Sequence, residues 1–101
     1  MRKIQPAVRA YLQITLQISQ PRREEAITKV YLPNRQRFLE RVEGAVSMDM
    51  LVREEDIQVL VGFDTPENAR AYLASSAGKE ITSQLAGYAK KEPVTAIYDV
   101  D

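Results

Sequence analysis

The chain has 101 residues, and its fourteen basic and fourteen acidic side chains give a formal net charge of zero. It contains neither cysteine nor histidine, so thiolate nucleophiles, imidazole bases and the usual zinc, copper and protein-ligated haem sites are excluded. A balanced charge provides no field that steers a polyanion, and a chain this short suits one domain, residues 1–101. We therefore expect no metal site, no cofactor and no nucleic-acid partner.

The first nine residues, MRKIQPAVR, are expected to form a flexible leader. Gln5, Pro6 and Arg9 interrupt the apolar core that a secretory signal peptide needs. No run of apolar residues along the chain approaches the length of a transmembrane helix. These features predict a cytoplasmic protein without a membrane partner.

The first two elements are predicted to be a strand and a long helix. Residues 10–18 alternate between apolar and polar side chains, which predicts a strand with one buried face. The buried side chains would be Leu12, Ile14, Leu16 and Ile18. A helix is expected to begin at Ser19-Gln20-Pro21, because proline is tolerated at the first helical position.

The apolar spacing of this helix continues to Val42, with Pro33 inside it. Proline cannot donate to the carbonyl four residues back, so a kink or a break into two helices is expected near residues 31–34. One interpretation is a simple surface kink. The other is a widened gap beneath the kink, where Tyr31 and Asn34 would offer polar groups to a ligand.

Residues 44–63, GAVSMDMLVREEDIQVLVGF, predict a β-hairpin, because two alternating runs flank a short charged turn. With the turn at residues 53–56, apolar side chains face one another across the two strands. The expected pairs are Val52 with Ile57, Met50 with Val59, Met48 with Val61 and Val46 with Phe63. The opposite face is too polar for a dry core and too apolar for a surface that meets only water, so we expect a partner or a ligand there.

The remaining chain predicts a broken helix and a last strand. Thr65 is expected to cap the helix, and small residues at positions 75–78 interrupt an apolar stripe that then continues to Lys91. Pro93 ends the helix, and residues 94–100 alternate as a strand. The order β-α-β-β-α-α-β predicts an α+β, ferredoxin-like fold with a four-stranded antiparallel sheet.

Two segments resemble the dimeric α+β-barrel superfamily, specifically its antibiotic-biosynthesis-monooxygenase-like group. VEGAVSMDMLV is similar to a glycine and strand of that group, and IQVLVGFDTPENARAYLAS to its strand, acidic turn and alanine-rich helix. The resemblance covers about residues 10–100 and implies a homodimer in which two sheets pack face to face. Its seam would contain Gln13, Thr15, Gln17, Ser47, Asp49, Gln58, Leu60, Thr95, Ile97 and Asp99. The alternative is an open monomer with this face in water.

Asp49 lies in the middle of a predicted strand. It either pairs with an arginine across the dimer or lies as a lone carboxylate inside a cavity, where burial would raise its pKa. The sequence favours the ion pair, because fourteen basic side chains compete for this carboxylate.

The resemblance also implies a pocket between sheet and helices in each protomer. The pocket would be lined by Ile14, Met48, Met50, Val61, Phe63 and Tyr72, with Tyr31, Asn34 and Tyr88 as further polar groups. Tyr31, Asn34 and Tyr72 are therefore the candidate catalytic residues. The alternative is that the methionines fill the core and the tyrosines anchor the helices.

Three positions depart from the active relatives of this group. Where many of them have a tryptophan at the end of the third strand, this chain has Phe63, and Tyr72 takes the position of a helix histidine. Haem-degrading relatives have an asparagine on the first strand, where this chain has Ile14. The usual catalytic residues are not retained, and haem degradation is disfavoured because no imidazole can bind the iron.

Two functions stay open. One is a small monooxygenase-like protein without a cofactor, which would act on or bind a flat apolar or quinol-like molecule and let the substrate's own carbanion reduce dioxygen. The other is a non-catalytic ligand-binding or assembly module of the same fold. RNA-binding domains share the βαββαβ order, but the third strand IQVLVGF lacks their aromatic and basic pattern. The basic run Arg35, Arg37 and Arg41 is interpreted as a solvated helix face.

Overall fold

The computed structural model describes residues 7–101, which form a four-stranded antiparallel sheet with helices on one face. The elements are β1 (Ala10–Gln17), α1 (Gln20–Ala26), a π-helical segment (Ile27–Tyr31), α2 (Leu32–Arg41), β2 (Ala45–Val52), β3 (Asp56–Phe63), α3 (Pro66–Ala74), α4 (Ser76–Ala86) and β4 (Val94–Asp99). The strands lie in the order β2-β3-β1-β4. The predicted α+β, ferredoxin-like fold with a four-stranded antiparallel sheet is confirmed.

The leader predicted for residues 1–9 lies partly outside the described residues, which begin at residue 7. Arg9, its last residue, is hydrogen-bonded to both neighbouring strands. Its N–H donates to the Phe63 carbonyl at 2.8 Å, and its carbonyl accepts from the Val100 N–H at 2.9 Å. The backbone pairing of β1 therefore extends one residue towards the N-terminus.

A π-helical segment lies close to the predicted break in the first helix. The Leu32 N–H donates to the carbonyl of Ile27, five residues back, which is the wide hydrogen bond of a π-helix. Pro33, the next residue, has no N–H for the carbonyl four residues back, and the wide turn accommodates this loss without ending the helix. The irregularity is centred on Ile27–Tyr31, about one turn earlier than the expected residues 31–34.

Strands β2 and β3 form the predicted hairpin. Three of the four expected pairs are confirmed: Val52 with Ile57, Met50 with Val59 and Met48 with Val61. The fourth is wrong, because a β-bulge at Val46 makes Ala45 the partner of Phe63. The predicted turn is held by Arg53, whose Nε donates to the Asp56 carboxylate at 2.8 Å.

A residue on either side of the hairpin marks a helix boundary, and the predicted Thr65 cap is confirmed. Gly44, between α2 and β2, has a φ of +79°, which residues with a side chain rarely adopt. Thr65 caps α3, since its Oγ1 accepts a hydrogen bond from the Asn68 N–H at 3.1 Å.

The predicted interruption between α3 and α4 is at Ser75. Its hydroxyl donates to the Tyr72 carbonyl at 2.6 Å, at the end of α3, and accepts from the Gly78 N–H at 3.1 Å, at the start of α4. The continuation of α4 to Lys91 is wrong, because the helix ends at Ala86. The chain after it turns so that the Lys90 N–H donates to the carbonyl of Gln17, at the end of β1, at 2.8 Å.

The sheet buries one face against the helices. The predicted inner face of β1 is confirmed, because none of its four apolar side chains is more than 1% exposed: Leu12, Ile14, Leu16 and Ile18. Each of these side chains alternates with a residue on the outer face, which no element among residues 7–101 covers. None of the helices in this part of the chain combines the length and apolar character needed to cross a membrane.

The register of β4 reverses its predicted faces. Paired residues of neighbouring strands point to the same side of a sheet. The pairs between β1 and β4 include Tyr11 with Tyr98, Gln13 with Ala96 and Thr15 with Val94. Thr95, Ile97 and Asp99 therefore lie on the helix side, and their assignment to the seam is wrong. Val94, Ala96 and Tyr98 form the more apolar side of this strand, so alternation predicted them to face the helices, but the pairing with β1 places them on the outer face.

Candidate functional site

Three aromatic rings from three elements meet beneath the helices. Phe38 of α2 packs edge-on against Phe63 of β3 and Tyr72 of α3, with ring centroids 5.4 Å and 5.2 Å apart. The Phe63 and Tyr72 centroids are 5.6 Å apart. These spacings are favourable for aromatic pairs, and the aromatic cluster joins α2, α3 and the sheet.

The structure places the other predicted pocket residues in the core beside this aromatic cluster. Ile14, Met48, Val61 and Phe63 are fully buried, and Met50 is half-buried against the core. All of them lie on the helix side of the sheet, as the alternation predicts. Their contact with a ligand stays a prediction.

Tyr31 anchors the π-helical segment to β2. Its hydroxyl donates to the Met48 carbonyl at 3.1 Å, and the Arg35 Nε donates to the same carbonyl at 2.8 Å. Burial raises the pKa of Tyr31, an effect that the positive charge of Arg35 opposes and the negative charge of Asp49 reinforces. Tyr31 thus has a structural partner at the sheet edge.

A cleft of about 180 Å³ opens between α2, α3 and α4. Its lining residues are Asn34, Arg37, Phe38, Arg41, Val42, Tyr72, Ala77 and Glu80. The Asn34 amide is fixed by two hydrogen bonds that it donates, to the Val30 carbonyl at 2.7 Å and to the Gln84 Oε1 at 3.2 Å. The cleft therefore brings together Asn34 and Tyr72, two of the three candidate catalytic residues. Tyr31 is not among its lining residues.

Tyr72 presents a phenol to this cleft. Burial raises the pKa of Tyr72 to about 12. Among residues 7–101 no group hydrogen-bonds to its hydroxyl, and no buried polar side-chain atom lacks a partner, so the hydroxyl is accessible to solvent. Tyr72 lines this cleft and also a neighbouring depression formed with Asn68 and Ser75. A phenol with this pKa is protonated at neutral pH, so it serves as a hydrogen-bond donor and not as a base.

The charged groups of the cleft are two guanidinium groups and one carboxylate. Arg37 and Arg41 come from α2, and Glu80 comes from α4. The Arg37 Nη2 donates to the Asn34 Oδ1 at 3.4 Å. In the part of the chain that the structure describes, no three acidic side chains lie close enough together to hold a metal ion.

The other predicted seam residues share the outer face of the sheet: Gln13, Thr15, Gln17, Ser47, Asp49, Gln58 and Leu60. On this face the Gln13 Nε2 donates to the Gln58 Oε1 at 2.7 Å. Asp49 is exposed in the single chain and lies opposite Leu60. It makes no ion pair within residues 7–101, and its pairing across a dimer stays a prediction.

No protein-family model matches this sequence, and no curated protein matches it. Solved structures are nevertheless similar to it. A monooxygenase of Streptomyces coelicolor in complex with the ligand nanaomycin D has a TM-score of 0.77 at 11% identity, covering 93% of this chain and 88% of that chain. For a candidate antibiotic biosynthesis monooxygenase from Nitrosomonas europaea, the TM-score is 0.69 at 15% identity, with coverage of 93% and 92%. The fold is that of the antibiotic-biosynthesis-monooxygenase-like proteins.

A third structure with the monooxygenase-like fold is an anthrone oxidase-like protein. Its TM-score is 0.72 at 18% identity, and the similarity covers 99% of this chain and 47% of that chain. Identities this low show a shared fold and not a shared activity. The predicted resemblance is confirmed at the level of the fold.

Within the monooxygenase-like fold, two of the three positions that depart from the active relatives lie fully in the core. Ile14 and Phe63 are 0% exposed, and only Tyr72 also reaches the cleft. Tyr72 is therefore the one of these three residues that can contact a ligand without rearrangement of the core.

Sequence reasoning missed the charged residues of the cleft. The arginines of α2 are exposed, as the predicted solvated face requires, and Arg37 and Arg41 in addition line the cleft together with Asn34. Their spacing of three and seven residues from Asn34 places all three on one helix face, which is a signal in the sequence. Glu80 gives no such signal, because only the packing of α4 on α2 brings it there.

Proposed function

We propose that this protein is a small monooxygenase-like protein that binds a flat apolar or quinol-like compound between α2, α3 and α4 and oxidises it without a resident cofactor. The observation that carries the proposal is the meeting of Asn34 and Tyr72 in one cleft above Phe38. Aromatic walls with a few fixed polar groups suit a flat ligand. Two structural neighbours support it, a monooxygenase in complex with nanaomycin D and an anthrone oxidase-like protein.

The proposed chemistry needs a substrate with an acidic C–H bond and dioxygen as the oxidant. For the probe anthrone, loss of the proton to solvent gives an enolate that passes its electrons to dioxygen. Anthrone and one dioxygen then give anthraquinone and one water. Tyr72, protonated because burial raises its pKa to about 12, donates a hydrogen bond to the developing oxyanion. Asn34 forms the polar wall beside it, since both hydrogens of its amide nitrogen are already donated to the Val30 carbonyl and the Gln84 Oε1.

Oxygen uptake with anthrone tests this proposal. The chain is expected to consume oxygen faster than buffer alone, and Tyr72→Phe combined with Asn34→Ala to lower the rate about a hundredfold by removing both polar groups. Tyr88→Phe, whose ring lies beside the Arg22 guanidinium and outside the cleft lining, is the matched control and keeps the rate. Unchanged uptake in the double variant would remove both residues from the mechanism, and no uptake by the unmodified chain would overturn the oxygenase.

A non-catalytic ligand-binding or assembly module is the second candidate. The close packing of Ile14, Met48, Val61 and Phe63, each 0% exposed, favours it, because this core leaves the sheet without a cavity at those residues. Such a module is expected to gain thermal stability from anthraquinone without oxygen uptake. Thermal unfolding and an oxygen electrode, applied to the same sample, distinguish the two functions.

We further propose that two chains form a homodimer through the outer faces of their sheets. Support comes from exposed apolar side chains on that face, since Leu51 is 51%, Val94 66% and Tyr98 58% exposed. Contact with a second copy would remove this apolar surface from water. The neighbouring polar residues would form a partly hydrated part of the interface, where Asp49 would pair with an arginine of the partner.

The remaining parts of the proposal concern organisation and location. We propose one domain over residues 1–101 in the cytoplasm, with neither a membrane nor a nucleic acid as partner. The formal net charge of zero supports the last point. Fractionation of host cells and retention on heparin at low salt check these statements.

A further inference from the structure

The arginines of the cleft suit a ligand with a negative charge, which a neutral apolar compound lacks. Arg37 and Arg41 lie one helical turn apart on α2 and flank the mouth of the cleft with Asn34. Like charges four residues apart destabilise a helix. Arg41 lies in the last turn, where the helix dipole favours a cation, but Arg37 lies one turn earlier. The helix dipole thus accounts for Arg41 and gives no reason for Arg37.

No carboxylate of the described residues forms an ion pair with the guanidinium group of Arg37 or Arg41. The ion pairs within residues 7–101 are Lys29 with Glu25, Arg53 with Asp56 and Arg70 with Glu67. The Arg37 side chain has one polar contact in this part of the chain, the 3.4 Å hydrogen bond to Asn34. Glu80 also lines the cleft, so the lining carries two positive charges and one negative charge. The cleft therefore favours an anion.

The size and walls of the cleft restrict the rest of the ligand. An engineered cavity of about 150 Å³ in another protein holds benzene, so this cleft of about 180 Å³ has room for an aromatic ring. Phe38 and Tyr72 are its most buried lining residues, and a ring would pack against them. A planar guanidinium group matches a carboxylate with two parallel hydrogen bonds.

We propose that the cleft binds a small aromatic carboxylate, with the ring against Phe38 and Tyr72 and the carboxylate on Arg37 and Arg41. This inference rests on the proposed function, because it assumes that the cleft is the binding site, and it names the class of compound. Its test is independent of oxidation. The probes are 2-naphthoate and 2-naphthamide, which have the same ring and differ in charge.

Calorimetric titration at low salt measures both affinities. The unmodified chain is expected to bind 2-naphthoate about tenfold more tightly than 2-naphthamide, and Arg37→Gln with Arg41→Gln to abolish this preference. The matched control, Lys29→Gln with Arg70→Gln, removes the same charge from exposed sites outside the cleft and keeps the preference. Equal affinities in the unmodified chain, or a preference that survives in the cleft variant, would overturn the inference.

The results separate this inference from the oxygenase. A chain that shows the carboxylate preference but takes up no oxygen with anthrone supports the anion site and overturns the oxygenase. A chain that oxidises anthrone and binds both naphthalene probes equally overturns the anion site alone. Binding of neither probe also overturns the anion site, and the oxygen measurement then decides the proposed function by itself.

Discussion

Tyr72 is the residue at which the core and the cleft meet. Its ring packs against Phe38 with centroids 5.2 Å apart, and its carbonyl accepts a hydrogen bond from the Ser75 hydroxyl at 2.6 Å. Its own hydroxyl is accessible to solvent. Phenylalanine retains the ring and the backbone bond and removes only the hydroxyl, so Tyr72→Phe isolates the effect of that group.

Ionisation of Tyr72 is expected to lower the free energy of unfolding of the unmodified chain at alkaline pH, and Tyr72→Phe is expected to abolish this decrease. Burial raises the pKa of Tyr72 to about 12, above its ordinary value of 10.0, so the folded chain holds this proton more tightly than the unfolded chain. The protonated Tyr72 therefore contributes about 2–3 kcal/mol to the free energy of unfolding. This contribution is fully present below pH 10 and is lost as the pH rises towards 12. Urea unfolding from pH 9 to 12 measures it. Parallel curves for Tyr72→Phe and the unmodified chain would contradict the prediction, and Tyr88→Phe, outside the cleft and the outer face, is the control.

At the scale of residues, the sequence predicted the site residues that follow from the periodicity of a single helix. It missed those whose position depends on how two helices pack together. Asn34 and Tyr72 follow from helical phase and from the resemblance, and both line the cleft. Glu80 is more than forty residues from Asn34 in the chain, so no local spacing relates them. The pocket predicted at Ile14 is a packed core position in the structure, because apolar alternation describes core and pocket walls equally well.

The junction of α3 and α4 depends on a close approach of two backbones. Gly78, in the first turn of α4, lies against the last turn of α3, where Ser75 joins the helices through two hydrogen bonds. A Cβ atom added at Gly78 would overlap the Tyr72 carbonyl oxygen and lie 2.9 Å from the Tyr72 carbonyl carbon. These are backbone atoms that cannot rotate away.

Gly78→Ala is therefore expected to destabilise the chain by about 2–3 kcal/mol, as overpacking does. In an ordinary helix interior the same change stabilises, because alanine is the better helix former. Gly87→Ala is the matched control, since its Cβ would lie 3.4 Å from the Gln84 carbonyl oxygen, an ordinary contact, and its effect stays within about 0.5 kcal/mol. Chemical unfolding measures both. Equal stability of the two variants would refute the close approach.

At the scale of elements, the type and order of the helices and strands could be predicted from periodicity and caps. The irregularities within these elements could not be predicted in this way. The bulge at Val46 shifts β2 by one residue relative to β3, and the alternation of apolar and polar residues does not predict such a shift. The wide turn at Ile27–Tyr31 precedes the proline that the sequence displays. The faces of β4 depend on its pairing with β1, which turns the more apolar side, Val94, Ala96 and Tyr98, away from the helices.

The whole molecule has one packed face and one open face. Helices cover the centre of the inner face, where the side chains of β1 and β3 are buried, while the outer face presents Leu51, Val94 and Tyr98 to water. The sequence predicted this division from the mixed composition of the hairpin. Which surface covers the outer face depends on a second molecule, and the proposed homodimer supplies it.

Leu60→Glu is expected to convert the proposed dimer into a monomer. Leu60 lies in the inner strand β3, between Gln13 of β1 and Asp49 of β2. In the dimer, the substitution would place two glutamates and two aspartates near the seam, and their like charges would repel one another. Leu39→Glu, on the exposed side of α2, is the control and keeps the dimer. Gel filtration with light scattering gives the masses. A monomeric mass for the unmodified chain at micromolar concentration would overturn the dimer.

The two hydrogen bonds on the Met48 carbonyl also affect how the chain meets other strands. β2 is at an edge of the sheet, and an edge strand offers its unpaired backbone groups to any extended segment that approaches. In the middle of β2, the Met48 carbonyl already accepts from the Tyr31 hydroxyl and the Arg35 guanidinium. An incoming strand would have to displace both donors, so the helix that packs on this sheet also protects its edge from aggregation.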